Sequence, residues 1–210
     1  MYPSRIINRF LFALSFSAIL FAKSNDDVVV KDDLDSLQTL TKKSPERAIR
    51  FARELLKKVA PISESNFEYK INNTLGEIFL DLQMYGQAMS HFTEASMIRE
   101  RLGKGSAPWL LINIGNVYYQ QQKYIKAREY YLNGLDIFNS LKHNQDNRVS
   151  GRKVSLSNLG RIEVRIKNYD KALNYFREAL DVSRRSSRFL AFKKAKEKNS
   201  IVYEGNAKGV

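Results

Sequence analysis

Apolar and small residues recur along this chain in a fixed order, three times over. Leu75, Gly76, Phe79, Tyr85, Ala88, Phe92 and Ala95 form the first series. Ile114, Gly115, Tyr118, Tyr124, Ala127, Tyr131 and Gly134 form the second, and Leu159, Gly160, Glu163, Tyr169, Ala172, Phe176 and Ala179 the third. Counted from the Gly, the members of every series fall at −1, 0, +3, +9, +12, +16 and +19. Positions −1, 0 and +3 share one face of a helix, and +9, +12, +16 and +19 share one face of a second. Between them stand the short polar connections QMYG, QQKY and IKNY, which suit two antiparallel helices. The small residues at 0, +12 and +19 let two helix backbones approach closely, and the aromatics at +9 and +16 fill the space beside them. One such hairpin cannot bury its own apolar face, so the pairs must stack. The expectation is an all-α array whose recurring residues are packing residues, with Glu163 the single departure, a charge at a position that is aromatic in the other two copies.

The first 24 residues follow a different pattern. Arg5 and Arg9 precede Phe10–Ala22, an uninterrupted run of apolar and small residues, which Lys23 and Ser24 follow. As a helix this run would span about 20 Å, short of the roughly 30 Å hydrocarbon core of a bilayer. The basic flank, the short apolar stretch and the small residues after it are those of a secretory signal peptide. An uncleaved anchor over 10–22 is the alternative reading. Export predicts a mature protein outside the cytoplasm that lacks residues 1–24 by mass, whereas full mass in the membrane fraction would favour the anchor.

The series Leu-Gly, aromatic, Tyr, Ala, aromatic, Ala resembles the tetratricopeptide repeat (TPR), and the resemblance covers about residues 69–185. It implies a solenoid of antiparallel helix pairs whose first helices line a concave, partner-binding groove. A weaker copy precedes the three. Ser44-Pro45 opens a helix carrying Ala48, Ala52 and Leu55 at the later apolar places, and its partner is a short helix with Leu34, Leu37 and Leu40. The organisation read from the chain is a signal at 1–24, an acidic linker and degenerate repeat at 25–66, three repeats at 67–186 and a basic tail or capping helix at 187–210. The Gly-to-Gly periods are 39 and 45 residues, longer than the family's unit of about 34. The extra residues fall near Gly103–Ser106 and in HNQDNRVSG (143–151), as longer helices or surface loops; the Asn and Gly content of HNQDNRVSG favours a loop there. Long-period repeats resemble those of exported sensor regions in bacterial signalling proteins, which gives a second functional reading: a sensor portion without its output domain.

Composition narrows the chemistry. The chain has no cysteine, which removes disulfides, thiolate catalysis and Cys-based zinc sites. Its two histidines, His91 and His143, stand far apart, so no metal is expected. Gly-rich phosphate loops, G-x-S-x-G and H-E-x-x-H are absent from the sequence. The pairs Asp26-Asp27 and Asp32-Asp33 fall in a stretch expected to be flexible, unlike the rigid carboxylate pairs of acid–base catalysis. No enzyme activity and no cofactor are expected. The net charge of +13 is lopsided: residues 148–210 carry 16 basic against 6 acidic side chains. A tail this basic, with seven basic residues and one acid from Arg184 to Lys198 around Phe189, Leu190 and Phe192, admits three readings. It caps the array, begins a further repeat, or meets an anionic membrane or nucleic acid; export argues against nucleic acid.

Transferring the groove by register from the family gives the candidate binding residues. They are Asn73, Glu77 and Asp81 in the first copy, Ile112, Asn113, Asn116 and Gln120 in the second, and Asn158, Arg161 and Arg165 in the third. Asn113 and Asn116 suit the backbone of an extended peptide. Arg161 and Arg165, one turn apart, suit a carboxylate or phosphate. The functional expectation is a protein-interaction scaffold that binds a peptide or partner protein.

Overall fold

The computed structural model describes residues 32–59, 66–142 and 145–207, of which 145 and 189–207 as backbone. The proposed signal or anchor, Asp26, Asp27 and His143 lie outside the described residues. Every element described is a helix: α1 (32–43), α2 (Pro45–Val59), α3 (Asn66–Asp81), α4 (Tyr85–Arg101), α5 (Pro108–Gln120), α6 (Tyr124–Ser140), α7 (Gln145–Arg165) and α8 (Tyr169–Ala207). They form two compact units, one through Lys104 and one from Gly105 onward. The sequence grouped three repeats as one block over 67–186, whereas the division between the units falls after the first of them.

In the first unit α3 and α4 make the first helix pair. Leu75 and Phe79 on one and Ala88, Phe92 and Ala95 on the other are all buried, as the repeat spacing predicts. The degenerate copy is also present: Leu34 and Leu37 of α1 and Ala48, Ala52 and Leu55 of α2 are buried. Ser44 opens α2, its carbonyl accepting from the Ala48 N–H at 3.0 Å. Asp32 and Asp33 lie within helix α1, contrary to the expected flexible stretch, and Asp33 is held by Lys58 of α2 at 2.7 Å.

In the second unit α5–α6 and α7–α8 form two pairs around one core that includes Ile112, Tyr131, Leu135, Phe138, Leu156, Leu159 and Ile162. Both pairs, like α3–α4, turn in the same way. Gln83, Gln122 and Lys167, each seven residues past the repeat Gly, have φ of 59°, 60° and 62°. The amide that follows each of them reaches back five residues, Met84 to Phe79, Lys123 to Tyr118 and Asn168 to Glu163, at 2.8–2.9 Å. This closes the helix ends in the Schellman manner. Gly103 uses the same device after α4, at φ 62°, which shows why the first extra segment leaves the helix there.

The second extra segment corrects the sequence reading. HNQDNRVSG was expected to be a loop, but Gln145 onward is helix α7, of 21 residues. Its Asn and Gly have packing duties instead of turn duties. Gly151 lies under the ring of Phe138, and the Trp109 indole N–H donates to Asn147 Oδ1 at 2.5 Å. The basic tail shows no break either: 187–207 prolong α8, which runs for 39 residues. The expected cap contacts of Phe189 and Phe192 lie outside the described side chains.

Candidate functional site

The first helix of each pair carries the candidate residues, and their register is common. Glu77, Asn116 and Arg161 follow the repeat Gly by one residue, and Asp81, Gln120 and Arg165 by five. In the first unit Asn73 Nδ2 donates to Glu77 Oε1 at 2.7 Å, one turn along α3. Tyr69, one turn before Asn73, sits on the same side, with the Arg99 guanidinium 5.2 Å from its ring centre. Burial pushes the Tyr69 hydroxyl up in pKa, while Arg99 pulls it back. Asp81 is exposed at the end of α3.

Behind that face lies a second polar contact. His91 of α4 stacks on Phe79 with rings parallel at 5.4 Å, and its Nδ1 meets Asn72 Oδ1 at 3.0 Å. Because Asn72 donates its amide to the Glu68 carbonyl, the oxygen must face His91 and the ring must carry its proton on Nδ1. Burial, aided by Arg53, lowers the His91 pKa below 6.5. The ring is therefore neutral at pH 7, a packed histidine.

The second unit brings four of the candidates together. Asn116 Oδ1 accepts from the Tyr131 hydroxyl at 2.8 Å and from Asn158 Nδ2 at 3.3 Å, joining α6, α5 and α7. Arg161 donates through Nη1 to Asn158 Oδ1 at 3.3 Å, and its guanidinium lies 4.6 Å from the centre of the Tyr119 ring. Arg165 Nε donates to the Tyr119 hydroxyl at 3.1 Å, a bond that raises the Arg165 pKa further. Burial drives the Tyr131 hydroxyl strongly up, with Arg161 opposing, so it remains a neutral donor. The result is a continuous polar row: Tyr131, Asn116, Asn158, Arg161, Tyr119, Arg165. Asn113 is half-buried and Gln120 exposed on the same helix, α5.

Two points differ from the sequence reading. Ile112 is not a groove residue; it is 2% exposed and its Cδ1 occupies the space beside Gly134. The equivalent position in the first copy, Asn73, is not buried in this way; its amide bonds Glu77 along α3 instead. Tyr119 was missed altogether. It is not one of the recurring residues, yet it is the hub that both arginines address, and an aromatic directly beside the repeat aromatic Tyr118 was the available signal.

Glu163 is the other unusual group. It is fully buried, and its Oε1 pairs with Arg128 Nη2 of α6 at 2.5 Å and, more loosely, with Lys171 Nζ of α8 at 3.8 Å. Its Oε2 has no hydrogen-bond partner. A carboxylate thus ties three helices at the place where the first copy has buried Phe79. Among the described residues no group of three or more His, Asp or Glu is placed to hold a metal. Among them, too, no helix is long and apolar enough to cross a membrane.

Comparison with known proteins agrees with this fold. Solved structures similar to this chain include BtubC (BKLC) from P. vanneervenii, with 22% identity, a TM-score of 0.67 and coverage of 77% of this chain and 65% of that one. MamA is similar at 17% identity and a TM-score of 0.55, over 82% of this chain and 87% of its own. The apo form of RapI is similar at 21% identity and a TM-score of 0.59, over 75% and 58%. The chain spans less than two thirds of BtubC and of RapI, and at these identities the likeness is one of fold. No curated protein matches the chain significantly. A family model described as the tetratricopeptide repeat matches residues 67–140 and 106–185, together more than half of the sequence, and the chain belongs to the tetratricopeptide repeat family.

Proposed function

We propose that this chain is a non-catalytic interaction scaffold that binds an extended, acid-bearing segment of a partner protein along the α5–α7 face of its second unit. The observation that carries this reading is the convergence of Arg161 and Arg165 on Tyr119, beside the amides of Asn116 and Asn158. Two guanidiniums held by one tyrosine are oriented before a ligand arrives, which lowers the entropy cost of pairing with a carboxylate. The Asn116 carbonyl is already engaged by Tyr131 and Asn158, so its Nδ2 is the group that would meet a peptide carbonyl. Export through residues 1–24 is part of the same proposal and places the partner outside the cytoplasm.

A fluorescent peptide of about ten residues, alternating Glu with small residues, tests the reading against its Lys-substituted counterpart. The acidic peptide is expected to bind and the basic one to fail. Arg161→Ala and Arg165→Ala are each expected to weaken binding about tenfold. If both variants bind normally while Arg184, Arg185 and Arg188→Gln lose the peptide, the tail and not this face is the binding element.

A further inference from the structure

We propose that α8 pairs antiparallel with α8 of a second copy of this chain, through a face distinct from the peptide-binding one. Tyr169, Leu173, Phe176 and Leu180 stand 64%, 47%, 38% and 49% exposed. Their 4-3-4 spacing sets them in one stripe about 16 Å long. The same register in the preceding repeat is covered: Tyr131 and Leu135 of α6, equivalent to Phe176 and Leu180, are 1% and 9% exposed because α7 lies over them. The α8 stripe is therefore built to the pattern of a helix-covered face, and no described residue covers it.

The identity of the covering helix follows from the symmetry of the stripe. A two-fold axis midway between Asn174 and Tyr175 sets Tyr169 opposite Leu180 of the second copy and Leu173 opposite its Phe176, so the surface is complementary to itself. The flanking charges obey the same operation. Asp170 and Arg177 lie two turns apart on the side of the stripe away from α7, the α7 side being marked by buried Ala172, Ala179 and Val182. In the antiparallel arrangement Asp170 of each copy meets Arg177 of the other. A parallel pair would instead lay two Arg184–Lys198 segments side by side, each with seven basic residues and one acid. The antiparallel pair sends them out at opposite ends.

The native chain has no cysteine, so introduced thiols report the pairing directly. Full-length chains carrying Leu173→Cys and Phe176→Cys, with tags of different mass, are mixed and oxidised. The mixed disulfide is expected to exceed either homodisulfide by about fivefold. Light scattering at about 50 µM is expected to give a dimer mass for the native chain and a monomer mass for Leu173→Glu, with helicity unchanged. Asp170→Arg is expected to weaken self-association about tenfold, and Asp170→Arg with Arg177→Asp to restore it. Three results would overturn the proposal: a native chain that stays monomeric, a Leu173→Glu chain that stays dimeric, or a dominant Leu173→Cys homodisulfide. The first leaves the stripe to a helix of another protein, the second places association elsewhere, and the third makes the pair parallel.

Discussion

Replacing Arg128 with Met is expected to lower the unfolding free energy by about 3–5 kcal/mol, the usual cost of removing one partner from a buried ion pair. Glu163 has no exposed side-chain surface, and without Arg128 its charge faces only Lys171, at 3.8 Å and half exposed. That residual pairing is weak, so Lys171→Met by itself should cost less than about 1 kcal/mol. The opposite single change, Glu163→Leu, should cost less than Arg128→Met, because the Arg128 side chain is 30% exposed and its guanidinium can turn to water. Changing both at once removes the charges together and restores an apolar contact like that of Phe79. The double variant should match the native chain or exceed it in stability, as buried ion pairs replaced by apolar groups often do. Urea unfolding of the native chain and the four variants, followed by helical circular dichroism, checks the order. If Arg128→Met and the double variant are equally stable, the carboxylate is not held in the manner described.

The residues that could be read from the sequence share one property: each does its work by shape against its own hairpin. Leu75, Gly76, Ala88 and Phe92 are set by 3.6-residue periodicity within two short helices, and the structure buries all of them. The degenerate first repeat was legible for the same reason, through Pro45 and the spacing of Ala48, Ala52 and Leu55. What escaped was fixed by contacts between hairpins. Asn147 and Gly151 look like turn residues in isolation, yet Trp109 and Phe138, from elements earlier in the chain, hold them in a helix. Tyr119 gains its role from arginines on the next repeat; Ile112, by contrast, is drawn inward within its own hairpin, by a glycine 22 residues later. Glu163 was visible as a departure; its partner Arg128, 35 residues away, was not. The candidate site was half legible: the register found Asn116, Asn158, Arg161 and Arg165, but not the tyrosine that organises them.

Gly115→Ala and Gly160→Ala, identical in register, are expected to differ sharply. A methyl group on either would stand 2.6 Å from a ring carbon of the +16 aromatic, Tyr131 or Phe176. Tyr131 is 1% exposed and pinned by its hydroxyl to Asn116. Its ring can move only by breaking that bond and disturbing the core. Overpacking of this kind costs about 1–3 kcal/mol, with the lost hydrogen bond adding about 1, against a gain of about 1 from Ala over Gly within a helix. A net loss of about 2 kcal/mol follows for Gly115→Ala. Phe176 is 38% exposed and has no hydroxyl, so it can swing outward. Gly160→Ala in the monomer should lie within about 0.5 kcal/mol of the native chain, since the helix-propensity gain offsets the displacement. The ring that swings out, however, is itself part of the stripe that pairs with the second copy, and moving it disturbs that surface. Gly160→Ala should therefore leave thermal unfolding of a dilute sample nearly unchanged and weaken self-association, while Gly115→Ala does the reverse and also loosens Asn116 in the polar row of the second unit. Equal losses of stability from the two substitutions would mean that Phe176 is held as firmly as Tyr131, and that the end face is rigid in the single chain.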